Sequence, residues 1–228
     1  MKTRKSLTSD KPTTRRIVNR KNSQPALKTK KRAVKSPAHS PADLAADRTQ
    51  LLIEIYAVNE RMNQIILEHL DPAAWRARLP GSRTRTIAAI VAHIHNVRRK
   101  WLRLSAPHIK LPPPLDHAHC TQNQARAALA QSAALCNEML ADALSAPQSD
   151  PPHSNPPRQV ETFLRDGWAR PWPAGPAMLA YMISHDAHHR GQIGMLAHYL
   201  GFPLPIQAGA GIWVWEKLWK DCGFTHPR

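Results

Sequence analysis

The stretch "SHDAHHRGQIGMLAHYL", residues 184–200, carries four histidines in a segment whose other positions read as a helix packed into a core. At about 100° per residue, Met178, Met182, His185, His189, Gln192 and Leu196 fall on one stripe. Two imidazoles one turn apart therefore stand where a bundle wants leucine. An imidazole pair is unfavourable in an apolar interior unless its ring nitrogens find partners. A divalent metal supplies that partner, because histidines at i and i+4 on one helical face converge on a single ion. His188 lies on another face, near Tyr181 and Tyr199, where a tyrosine hydroxyl would serve it.

A pair is not a complete site, and the segment "TRTIAAIVAHIHNVRRKWLRL" offers a third ligand. His93 and His95 flank its apolar stripe of Ile87, Ile90, Val91, Ile94, Val97 and Trp101, each about 100° from the centre, so periodicity leaves both open. Three neutral nitrogen ligands leave a divalent ion an open position for water, a thiol or a carbonyl oxygen. Because the imidazoles bring no charge, an anionic sulfur ligand is electrostatically favoured there. Asn59 and Gln192, polar residues within apolar stripes, are candidates to orient the imidazoles, whereas Asp186 points about 100° away from the stripe. Arg190 has two readings, an anionic substrate or an acid on a neighbouring helix. Histidines retained only for packing are the remaining alternative. No Ser-His-Asp order, glycine-rich phosphate loop or catalytic carboxylate pair specifies a reaction class.

Positioning these side chains requires long helices, and the pattern provides four. The first starts at about Pro41 and places Leu44, Leu51, Leu52, Ile55, Tyr56, Met62, Ile65, Ile66 and Leu70 at helical spacings, without internal Gly or Pro. The second, capped by Thr84 or Thr86, ends in Arg98, Arg99, Lys100 and Arg103, cations that suit a helix C-terminus. After the extended "SAPHIKLPPPLD" comes an alanine-rich third helix, "TQNQARAALAQSAALCNEMLADAL". Residues 146–177 form a long Pro-rich connection, its first half read as mobile and its tryptophans expected against the bundle. The fourth helix runs from about Ala177 to Leu200, stopped by Gly201 and Pro203, and a short aromatic segment with Trp213, Trp215 and Trp219 closes the chain. With no convincing strand pattern, the fold class is all-α, a four-helix bundle.

The charge is concentrated at one end. Residues 1–40 hold 13 of the 32 Lys and Arg and a single acid, Asp10, for a net +12 of the total +16. This stretch is too poor in large apolar residues to offset its ordering entropy and is expected to be a disordered basic tail, with 41–228 as the folded domain. Such a polycation binds nucleic acid through phosphate contacts without sequence preference. A non-catalytic metal-binding or stress-response bundle tethered to nucleic acid by the tail is therefore the alternative to an enzyme. A solvated tail of no specific use, an early start codon and an organellar presequence are further readings. Cys120, Cys136 and Cys222 form no CxxC spacing, so a disulfide framework is not expected. No apolar run reaches the roughly 18–20 residues of a membrane span. A cytoplasmic protein is expected.

"VAHIHNVRRKWL" followed by "YMISHDAHHRGQIGMLAHYLG" resembles the DinB/YfiT-like superfamily of bacterial four-helix-bundle metalloproteins, over roughly Leu44 to Gly223. His185, His189, Arg190, Gly191 and Gln192 match its fourth-helix motif in order. The resemblance implies a metal triad of His93, His185 and His189, with His93 preferred to His95 because Trp101 matches the family's aromatic eight residues on. It also implies zinc or nickel, frequent homodimers and, in some members, transfer or isomerisation reactions that use small cellular thiols.

Overall fold

The structure, a computed structural model, describes residues 40–81, 83–145 and 158–225. The expected tail lies outside the described residues except for Ser40, which caps the first helix. Helix α1 (Pro41–His69) starts with a capping box in which Ser40 and Asp43 exchange side-chain bonds to each other's backbone N–H at 3.1 Å. Helix α2 (Ile87–Ser105) is capped by Thr86, one of the two threonines expected, and α3 (Gln122–Leu144) by a second box, Thr121 with Gln124. Helix α4 (Pro176–Tyr199) ends as the sequence predicts. Gly201 adopts φ 86°, its N–H donates to His198 O, and Phe202 N–H donates to Ala197 O, the reciprocal pair that left-handed glycine permits. Two short helices, α5 (Ile206–Gly211) and α6 (Trp215–Asp221), follow.

Helices α1 and α2 each pack against both α3 and α4, so α1 and α2 occupy opposite corners of the bundle. Thr49 bonds Leu144 O while Gln122 bonds Leu67 O, which makes α3 antiparallel to α1. His93 meets His189 and Trp101 meets Tyr181, which makes α4 antiparallel to α2. Adjacent α2 and α3 then run parallel, and parallel neighbours need a long return. The proline segment supplies it. Arg99 donates to Pro112 O, His95 contacts Pro113 O and Asn96 clasps Leu115, so the segment runs back along α2 as an extended strap. The 19 residues of α2 rise about 28 Å, and ten extended residues cover about 31 Å.

The apolar interior is divided along the bundle axis. One cluster gathers Ile66, Leu67, Ile90, Ile94, Leu129, Ile193 and Leu196; another gathers Tyr56, Trp101, Leu140, Met139, Met178 and Met182. Between them each helix contributes polar groups to one level: Asn59, Glu60 and Asn63 from α1, His95 and Arg98 from α2, Ser132 from α3, and Asp186 and His189 from α4, all buried. A third cluster seats Leu218 and Trp219 on Val58, Met62 and Ile65 of α1.

Some expectations change. Leu44 and Leu51 are exposed, because α1 extends beyond the core before Tyr56. The connection before α4 contains a two-residue antiparallel pair, β1 (Thr162–Phe163) with β2 (Trp172–Pro173), too short to leave a periodic signal. Its aromatics do lie on the bundle: Phe163 is fully buried against Trp101, with ring centroids 6.0 Å apart. Residues 146–157, the half expected to be mobile, lie outside the described residues. Among the described residues no helix is long and apolar enough to cross a membrane, and the three cysteines are free.

Candidate metal centre

His93 on α2 and His185 and His189 on α4 meet where the antiparallel helices pass each other. Their ring centroids are 4.6–5.5 Å apart, and one nitrogen from each lies within 4.8 Å of the others. His95 is elsewhere. Its ring is fully buried on the opposite flank of α2, with Nδ1 2.9 Å from Ala128 O of α3 and Nε2 2.9 Å from Pro113 O of the strap. Periodicity could not choose between the two histidines; the chain neighbours do, because α3 and the strap take one flank and α4 takes the other.

The imidazoles are held ready to donate lone pairs. The Nδ1–H of His189 donates to Gln192 Oε1 at 2.8 Å, since an amide oxygen only accepts, and this leaves Nε2 free. Gln192 in turn presents its amide nitrogen to His188 Nε2 at 3.0 Å. So Gln192 orients an imidazole as expected, while His188 pairs with that amide rather than a tyrosine. Burial, reinforced by His189 and Arg85, pushes the His93 pKa down to about 4. Burial likewise lowers that of His189, against the opposing pull of Gln192. Both imidazoles are therefore neutral near pH 7. The two ring nitrogens of His185 are buried without a hydrogen-bond partner, the ring lying edge-on to Trp101 with centroids 5.1 Å apart.

Behind the histidines lies a charge network that the sequence reading missed. Asp186 is fully buried. Its Oδ2 accepts from Arg98 at 2.5 Å, Asn59 at 2.8 Å and Asn63 at 3.3 Å, and its Oδ1 lies 3.5 Å from His185 Nδ1. Arg98 is also fully buried; it donates to Glu60 at 2.8 Å and to Leu129 O at 3.0 Å, and is not one of the solvated cations at the helix end. Burial alone would raise the Asp186 pKa, but the Arg98 charge and the His185 contact hold it well below the carboxylate range. Glu60, with burial dominant, is pushed up. Arg190 donates to Asn59 Oδ1 at 2.6 Å and Asn63 Oδ1 at 2.8 Å, and among the described residues it forms no ion pair with an acid. Asn59 thus acts on the site through Asp186 and Arg190, not on an imidazole.

A signal for this network existed. Arg98 stands four residues after Ile94 and three before Trp101, and Asp186 four after Met182 and three before His189. Both positions continue an apolar stripe. On α4 Met178, Met182, His189 and Leu196 of the expected stripe are buried, but the buried face is broader and extends to Leu179, Asp186 and Ile193, while Gln192 is exposed.

The three histidines line a cavity of about 300 Å³ together with Val97, Lys100, Trp101, Arg165, Asp166, Tyr181 and His188. A larger cavity of about 700 Å³ beside the strap and α3 shares no residue with the histidine set. Metal–nitrogen bonds of about 2.0–2.1 Å place tetrahedral donors roughly 3.3 Å apart. The donor set fits a divalent cation: three imidazole nitrogens already gathered, one ring whose buried nitrogens lack hydrogen-bond partners, and a cavity where a fourth ligand could enter. The chain matches no curated protein and no solved structure. A family model, that of the DinB family, matches residues 45–211, which take in α2, α3 and α4 whole, α1 from its fifth residue on, and every residue of the histidine set. With that span covering most of the sequence and the fold a helical bundle, the chain belongs to the DinB family.

Proposed function

We propose that this protein is a metal-dependent enzyme in which His93, His185 and His189 hold zinc or nickel and a small thiol or water attacks a small electrophilic substrate. The carrying observation is the geometry of an incomplete shell: three imidazoles converge from two helices, and the fourth side opens into a cavity instead of a further protein ligand. Structural metal sites are closed by four protein ligands, whereas catalytic ones keep a position for substrate or water. A divalent ion bound there supplies Lewis acidity and favours the deprotonated form of a thiol or water at neutral pH.

The protein's own groups do the remaining work. Gln192 fixes the His189 tautomer, and Asp186 stands beside His185 Nδ1 as the nearest acceptor. Trp101, edge-on to His185 and backed by Phe163, walls the histidines on the side of the Tyr56 cluster. Tyr181, one turn before His185, lines the approach.

The test is elemental analysis of purified protein beside His189→Ala and His95→Asn, followed by a thiol-transfer and hydrolysis screen on metal-loaded samples. The expected result is one divalent ion per chain in the parent and in His95→Asn, and its loss, with any activity, in His189→Ala. A parent without a stoichiometric ion, or a His189→Ala variant with unchanged metal content, overturns the proposal.

A further inference from the structure

The cavity beside the histidines is charged on one side only. Lys100 stands seven residues after His93 on α2, about 10 Å along the axis, and Tyr181 four residues before His185 on α4, about 6 Å along. Because the helices are antiparallel, these positions fall at the same end of the cavity. Arg165 joins them there, donating from Nη1 to the Tyr181 hydroxyl at 2.7 Å with its guanidinium 5.8 Å and 5.9 Å from the ring centres of Trp168 and Tyr181. The aromatic faces hold the fork in place, which lowers the entropy lost when it binds an anion.

The acids are too few for the cations. Asp166 is the one carboxylate lining this cavity, and it is shared: Oδ2 takes Lys100 at 2.8 Å and Oδ1 takes Arg103 at 3.4 Å. Among the described residues no carboxylate lies within ion-pair distance of Arg165, although the neighbouring Asp166 feels its charge. An exposed guanidinium, braced by two aromatic rings and only partly answered by Asp166, therefore lines a site that would also hold a dication bound by three imidazoles. A small molecule without an anionic group at that end would leave Arg165 without a direct partner.

We infer that the small molecule filling the open metal position carries a carboxylate or similar anionic oxygen group at its far end, bound by Arg165 with Lys100 beside it, so that Arg165 determines specificity. This rests on the metal-site reading above and names the substrate class for it. The axial offsets set the length: an anionic group some 6–10 Å from the metal end is separated from it by several bonds.

The experiment uses full-length protein loaded with cobalt(II), whose sulfur-to-metal charge-transfer absorption reports thiol binding without turnover. Mercapto-acids and mercapto-alcohols of equal length, 3-mercaptopropionate with 3-mercaptopropanol and 6-mercaptohexanoate with 6-mercaptohexanol, are titrated at low and high salt. The expected result is an acid bound about tenfold more tightly than its alcohol in at least one pair, the low end for a hydrogen bond between charged groups. That preference should fall to near unity in Arg165→Met and shrink with salt. Lys100→Met, at an exposed position, serves as the second variant and should reduce it partially. Equal binding of acid and alcohol at both lengths, or a preference indifferent to Arg165→Met, overturns the inference while leaving the metal reading intact. Absence of the absorption with every thiol removes the thiol reading and this inference with it.

Discussion

Asp186→Asn removes one negative charge and little volume from the centre of the bundle. In the native protein Arg98 and Arg190 face Glu60 and Asp186, so the buried charges balance, and Arg98 Nη2 lies within 2.8 Å of both carboxylates. Breaking a buried ion pair by neutralising one partner costs about 3–5 kcal/mol. Glu60 and the asparagine carbonyl still accept from Arg98, which places this substitution at the low end, about 3 kcal/mol. For a domain of this size each kcal/mol moves Tm by about 2–4 °C, so chelator-treated Asp186→Asn should melt roughly 6–12 °C below the parent at pH 7 by circular dichroism. Asp186 titrates below its unfolded value, so its contribution is complete above about pH 5, and the gap should close as pH falls below about 4. Adding Arg98→Met should recover part of the loss, because the unpaired guanidinium carries most of the penalty. Cobalt affinity should fall about 10–100-fold, since His185 loses its neighbouring carboxylate. A variant melting within a degree of the parent, with the gap unchanged in acid, would refute the account of the network.

Gln192→Leu removes the acceptor of the His189 Nδ1–H at an exposed position; it should weaken metal binding about tenfold while shifting stability by less than about 0.5 kcal/mol, as competition with a metal-sensitive dye and thermal melts would report. The His93 pKa is lowered to about 4, so the unfolded chain binds the proton first and metal-free stability should rise between about pH 4 and 6.5; His93→Gln should flatten that slope, and equal slopes would refute it. Trp101→Ala, at a fully buried position against Phe163 and His185, should cost about 3–5 kcal/mol in denaturant unfolding.

Much of the architecture is local and therefore legible in one dimension. Helical periodicity, with Thr86 before the second run and Gly201 after the fourth, marks the four long helices, because caps and apolar spacing act within a turn or two. The pairing of His185 with His189 is local in the same way. The third nitrogen was not, since His93 and His95 are equivalent until α3 and the strap occupy one flank of α2 and α4 the other. Arg98 and Asp186 were misread for a related reason: a lone charge is costly in an apolar core and is read as exposed, and only the meeting of α2 with α4 brings each its opposite charge. One-dimensional pattern suffices to locate the four long helices and to put imidazoles on a buried face. Packing of the helices sets which of them converge, which charges are buried together, and that the open side of the histidine set faces Arg165, because desolvation is offset only between groups brought close in space.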